Sequence, residues 1–280
     1  MTTGTFGQRL HRAVQDRGPL CVGIDPHASL LAAWGLPDDV SGLERFSRTV
    51  VEALAETVAV LKPQAAFFER HGARGVAVLE DVVADARSAG ALVLTDAKRG
   101  DIGSTMQAYA DAYADPRSPL FSDAVTVSPY LGFGSLTPLL DTAERHGTGV
   151  FVLALTSNPE GPEVQHARTN SGRTVAGTVL EHVRRRNAAA ASGRLGSVGC
   201  VVGATVGPTG EDLDVGGPLL APGLGAQGAR PGDLRGVFGP ALRLVLPAVS
   251  REVLGHGPGV EDLRDSAARF RDSCAAAIAG

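Results

Sequence analysis

Eight short apolar runs punctuate the chain: PLCVGID (19–25), VAVLKP (58–63), ALVLTDAK (91–98), AVTVSPY (124–130), GVFVLALTS (149–157), VGCVVGAT (198–205), PLLAPGLG (218–225) and LRLVLPAVS (242–250). Within them Val, Leu and Ala follow one another with little polar alternation, as in parallel strands covered on both faces. Amphipathic stretches of helical period lie between most of them, among them residues 43–57, 75–88 and 174–191. Strand and helix alternating over 280 residues predict a single (β/α)8 barrel spanning 1–280, rather than two domains. No Pro/Ser-rich linker divides the halves.

Two segments break the alternation. Residues 156–173, TSNPEGPEVQHARTNSGR, form a long polar loop after the fifth run; residues 222–240, PGLGAQGARPGDLRGVFGP, are rich in Gly and Pro after the seventh. Both fall at the carboxyl ends of strands, where barrel enzymes place their sites, and both are lid candidates.

Charge is concentrated at the same ends. The third run delivers Asp96, Lys98, Arg99 and Asp101 in quick succession. Ions there are costly unless they pair or serve chemistry. Residues two apart share a strand face, so Asp96 and Lys98 point one way and Arg99 the other, toward the helix layer and structural partners. Lys62 ends the second run and Asp25 the first; in a barrel these ends adjoin, so Asp25, Lys62, Asp96 and Lys98 converge on one rim. A plain salt-bridge network is the alternative on spacing alone.

The segment DAKRGDIGST (96–105) resembles the signature of the orotidine 5′-phosphate decarboxylase family, in its second, bacterial subgroup. CVGIDPH (21–27), LKPQAAFFERHG (61–72), LTSNPEG (155–161) and APGLGAQG (221–228) fit the same pattern, and the resemblance runs from about Cys21 to Arg251. It implies a carboxy-lyase that converts orotidine 5′-phosphate to UMP and carbon dioxide, the last step of UMP synthesis, without metal or organic cofactor. Lys62, Asp96, Lys98 and Asp101 match the family's catalytic Lys-Asp-Lys-Asp array. Asp101, with Ile102 and Thr105, matches residues that reach into a partner's site, which implies a homodimer. Asp25 matches a ribose contact, Ser157 the serine that reads the pyrimidine edge, Gln227 the lid glutamine and Arg251 the phosphate-binding arginine. Where many relatives have glycine after that arginine, this chain has Glu252, an acid compatible with phosphate binding only if it points away.

Elementary chemistry leads to the same residues. Decarboxylation leaves a carbanion on carbon 6 of the pyrimidine, with no adjacent electron sink. A nearby cation must stabilise that charge and then supply a proton, and Lys98 held between acids fits both tasks. Three competing readings share the scaffold. A magnesium-dependent sugar-phosphate decarboxylase or synthase uses such acids for metal and adds a Glu one strand earlier, where this chain has Lys62. A Schiff-base aldolase needs a neutral lysine, which neighbouring carboxylates oppose. A non-catalytic phosphate-ligand sensor has no use for the lysine–aspartate array.

Composition narrows the rest. A net charge of −4 with 20% charged residues provides no electrostatic footprint for nucleic acid or an anionic membrane. The absence of an apolar run of spanning length, or of a leader pattern, points to the cytoplasm. Cys21, Cys200 and Cys274 show no metal-ligand spacing, and Cys21 and Cys200 fall in predicted strands, as buried free thiols would. No His pair has zinc-site spacing; His27 reads as a surface or supporting residue, and Glu69, Arg70 and His71 as a structural ion-pair cluster.

Overall fold

In the computed structural model, which describes residues 4–188 and 193–280, eight parallel strands close into a barrel in sequential order. They are β1 (Cys21–Ile24), β2 (Val60–Pro63), β3 (Leu92–Arg99), β4 (Ala124–Val127), β5 (Gly149–Leu155), β6 (Val198–Val202), β7 (Leu219–Ala221) and β8 (Val245–Val249). All lie inside their apolar runs and are shorter than them, except β3, which continues one residue past its run to Arg99. Pro129 and Pro222 follow β4 and β7 closely, and a residue without an N–H cannot extend a ladder.

Period two divides every strand between two cores. Val22, Leu61, Val93, Val125, Val152 and Cys200 face outward into the layer shared with the helices. Cys21, Val60, Leu92, Leu94, Ala124, Phe151, Val201, Leu220 and Leu246 fill the barrel interior. Both sets are buried, which is why the sequence shows continuous rather than alternating apolarity. The free thiols of Cys21, Cys200 and Cys274 are all buried, and burial pushes the Cys21 thiol up to about 12.

Helix boundaries moved where caps decided them. The stretch 43–57 is helical over Val40–Leu54, because the Asp39 carboxylate accepts from Ser41 N and Gly42 N and starts the helix early. The stretch 75–88 begins at Gly72. The third helix covers Val175–Asn187, capped by Thr174; the remainder of that expectation, residues 189–191, lies outside the described residues. The two polar loops carry structure of their own, the short helices Gly161–Gln165 and Leu234–Phe238. Among the described residues no helix is long and apolar enough to cross a membrane.

The amino-terminal helix Phe6–Arg17 plugs the end of the barrel where the strands begin. Thr5 and Gln8 form its capping box. Phe6 and Leu10 pack into the interior cluster, and the Phe6 ring meets Phe151 edge-on with centroids 5.9 Å apart. Gly149 leaves room for it: a Cβ there would stand 2.3 Å from that ring. Asp123 holds the plug electrostatically, accepting from Arg9, Arg87 and the Val93 amide.

Phe6 is 1% exposed, so Phe6→Ala removes a ring from a closed site and lowers the unfolding free energy by about 3–5 kcal/mol, measured by urea titration. Ligand affinity at the opposite end of the barrel stays unchanged.

Candidate active site

The interior-facing row of each strand continues upward into a cavity of about 320 Å³ at the carboxyl ends. Lys62 lies two residues beyond Val60, Asp96 two beyond Leu94 and Thr126 two beyond Ala124, so the register that fills the core also aims these side chains into the cavity. Asp25, Ser157, Gln227 and Arg251 line the same space.

The Asp96 carboxylate is the hub. Its Oδ1 accepts from Lys98 Nζ at 2.7 Å and Thr126 Oγ1 at 2.8 Å; its Oδ2 accepts from Lys62 Nζ at 3.1 Å and Gln64 Nε2 at 3.2 Å. Asp96 is 8% exposed and Lys62 7%. Burial would raise the Asp96 pKa, yet two ammonium groups and these hydrogen bonds hold it well below the usual carboxylate range. Burial would likewise depress Lys62, but Asp96 and Asp25 outweigh it and hold the ammonium form above the ordinary lysine value.

Lys98 reaches this hub by a break in strand geometry, not by simple alternation. Its φ is +48°, the one positive value outside glycine among the described residues. Between Thr95 and Arg99 the β3–β4 register slips, and the Lys98 amide donates to Thr126 Oγ1 at 3.0 Å. A long side chain in the left-handed region is strained, and such strain concentrates at functional sites. Gly100 follows under close contact: a Cβ there would lie 2.4 Å from the Ser128 carbonyl oxygen. Arg99 faces the helix layer as expected, pairing with Glu69 and lying over the Tyr109 ring at 5.6 Å.

Loops complete the mouth. Gln165 clips the β5 loop, its Oε1 accepting from Thr156 N at 2.9 Å and its Nε2 donating to Thr156 Oγ1 at 2.6 Å, which positions the adjoining Ser157. Gln227 and Arg251 are exposed at the rim. Glu252 does not line the cavity: its side chain lies over Gly225, whose own Cβ would come within 2.6 Å of it. The acid beside Arg251 therefore points away from the cavity.

Three expected site residues are elsewhere. Asp101, Ile102 and Thr105 lie outside this cavity, with Asp101 Oδ1 accepting from the Ile102 amide at 2.7 Å and Ile102 61% exposed. The apolar side chains of Tyr130 and Leu131, in the loop after β4, are exposed too. His27, read from the sequence as a surface or supporting residue, lines the cavity, with its ring edge-on to Phe67 at 4.5 Å. Arg70 pairs with Asp38 and Glu69 with Arg99, so these two ions pair outward; His71 forms no ion pair among the described residues. Gln64, Thr126 and Ser250 were missed, although each stands two residues beyond an interior position, the one signal that finds them. Among the described residues no group of three His, Cys, Asp or Glu is arranged to hold a metal.

Comparison with known proteins agrees with this geometry. A curated orotidine 5′-phosphate decarboxylase of Salinispora arenicola is 66% identical over 277 residues, covering 99% of both chains. One of Streptomyces coelicolor is 66% identical over 95% of each. A crystal structure from Streptomyces avermitilis, of a protein assigned to the same activity, superposes with a TM-score of 0.97 at 66% identity, covering 100% of this chain and 98% of that one. The Leishmania donovani OMP decarboxylase superposes at 0.77 with 30% identity, over 99% of this chain and all of the other. The family model described as orotidine 5′-phosphate decarboxylase / HUMPS matches residues 18–265, and the chain belongs to that family.

Proposed function

We infer that this chain is a carboxy-lyase of pyrimidine biosynthesis, converting orotidine 5′-phosphate to UMP and carbon dioxide. The observation that carries the reading is the buried Asp96 carboxylate gripped by Lys62 and Lys98 on the floor of the cavity. Relatives at 66% identity, which bear the name of this decarboxylase, support it.

In the proposed reaction the bond between carbon 6 and the carboxyl group breaks with its electron pair left on carbon 6. Carbon dioxide departs, and the Lys98 ammonium stabilises the developing carbanion before passing it a proton. Asp96, itself fixed by Lys62, holds that ammonium in place, so little reorganisation accompanies charge development. Asp25 takes a ribose hydroxyl, Ser157 the pyrimidine edge, and Gln227 and Arg251 the phosphate. Contacts to the distant phosphate lower the barrier by driving closure of the β7 loop and fixing the substrate's position. The step runs without metal: the carboxylate that would hold one already accepts from two ammonium groups. Asp101, Ile102 and Thr105 serve the site of a second copy, which makes the enzyme a homodimer; their position outside this chain's own cavity, and the exposed apolar Ile102, Tyr130 and Leu131 in the loops after β3 and β4, support that arrangement. The enzyme works in the cytoplasm.

Three measurements test this reading. Wild-type protein converts orotidine 5′-phosphate to UMP at the same rate with and without EDTA, and Lys98→Ala lowers kcat by at least about 10³-fold in a spectrophotometric assay. EDTA sensitivity or an active variant would overturn the mechanism. Asp96→Ala and Asp101→Ala chains are each inactive alone, whereas their mixed dimer recovers about half the wild-type activity, because two-fold pairing leaves one intact site in two. The pH dependence of stability follows from the ion pair. The folded-state pKa of Asp96 is depressed, so its contribution is present above the unfolded aspartate value, about 3.9, and is lost as pH falls through the folded value. Lys62 is displaced upward, so its contribution holds below the ordinary lysine range and is lost only as pH rises through its folded value. Asp96→Asn therefore costs about 3 kcal/mol or more at neutral pH, and the gap to wild type narrows as pH drops below about 4, read by denaturant titration across pH.

A further inference from the structure

Six side-chain polar atoms among the described residues are buried without a hydrogen-bond partner, and two of them, Asp25 Oδ1 and Ser250 Oγ, belong to residues that line the cavity. A buried polar atom left unpaired costs stability, so its presence in a cavity wall points to something that binds there.

The two are neighbours by construction. The register that sets Cys21 beside Ala248 and Val22 beside Val249 brings Gly23 beside Ser250 on the adjoining strand end. A Cβ at Gly23 would stand 3.0 Å from Ser250 Cβ, and 3.0 and 3.1 Å from the two Asp25 carboxylate oxygens. The Asp25 carboxylate and the Ser250 side chain thus share the space that the missing side chain leaves, yet do not bond to each other.

Their chemistry selects the ligand atom. A carboxylate oxygen accepts, and a serine hydroxyl can donate. A group placed between them must donate to Asp25 and accept from Ser250, and a hydroxyl does both at once. A phosphate oxygen has no proton to give Asp25 and would meet it as a like charge. Ser250 precedes Arg251, so sequence proximity alone would have placed it with the phosphate. The interior row Leu246, Ala248, Ser250 instead aims it at the barrel axis beside Asp25. We propose that Ser250 is a further substrate-binding residue, which together with Asp25 clamps one hydroxyl of the nucleotide sugar. The proposal rests on the nucleotide reading above and assigns a donor to a hydroxyl for which Asp25 is only the acceptor.

The test compares wild type and Ser250→Ala on orotidine 5′-phosphate and on its 2′-deoxy and 3′-deoxy counterparts. Turnover of orotidine 5′-phosphate by wild type is measured first; its absence overturns the functional reading and this proposal with it. With normal turnover, Ser250→Ala lowers kcat/KM by about 5–10-fold, the size of one hydrogen bond, and the penalty disappears on the one deoxy substrate that lacks the clamped hydroxyl. A penalty equal on all three substrates assigns Ser250 to the phosphate or to packing and overturns the proposal, as does no penalty at all. Denaturant titration of the ligand-free proteins separates packing further. Removing an unsatisfied atom leaves the Ser250→Ala midpoint no lower than wild type, whereas a loss of stability would make Ser250 structural.

Discussion

A carboxylate desolvated at the centre of a barrel must be fully satisfied, and the arrangement around Asp96 meets that demand. Two ammonium groups, a hydroxyl and an amide all converge on it from β2, β3 and β4. Each donor is thereby fixed: Lys62 and Gln64 on one side, Thr126 on the other, and Lys98 through a strained backbone that the same Thr126 supports. An isolated buried charge is far more costly than the strain at Lys98, so the network holds Lys98 in a conformation that a strand would otherwise avoid.

The two ends of the barrel divide the work. Where the strands begin, Phe6, Leu10 and Phe151 close the interior with apolar contact, and Asp123 ties the plug to its neighbours through Arg9 and Arg87. Where they end, the same interior rows turn polar within one step, from Leu94 to Asp96 and from Val60 to Lys62. The apolar plug and the charged cavity therefore lie at opposite ends, the cavity at the end where barrel enzymes generally place their sites. The loops after β5 and β7 can carry short helices and open mouths without disturbing the plugged end.

The rim of the third and fourth strands has a different character. Ile102, after β3, and Tyr130 and Leu131, after β4, expose apolar surface, and Asp101 turns its carboxylate to its own chain's backbone. A second copy over this rim would cover that surface and put Asp101 to use, so the dimer and the catalytic array are one proposal rather than two.

Much of this was legible in the residues. Continuous apolar runs separated by helical periods specify a parallel sheet buried on both faces, and eight of them specify closure, because no edge is then left unpaired. Within the motif at 96–105, the two-residue spacing of Asp96 and Lys98 on β3 anticipated that both line one cavity, whereas Asp101 and Thr105 lie past the strand end and outside it. What the sequence left open depended on neighbours distant in the chain. Asp39 started its helix early through a local cap that periodicity does not register. Gln64, Thr126 and Ser250 look like ordinary polar residues until strand register places them against Asp96 and Asp25. His27 joined the cavity, and Glu252 turned away over Gly225, for reasons of packing between loops remote in sequence. By itself the sequence determined the period, the strand order and the charged quartet's placement at one rim. Only the tertiary structure decided which polar groups satisfy one another, because hydrogen-bond satisfaction is set by distances across strands, and no linear spacing encodes those.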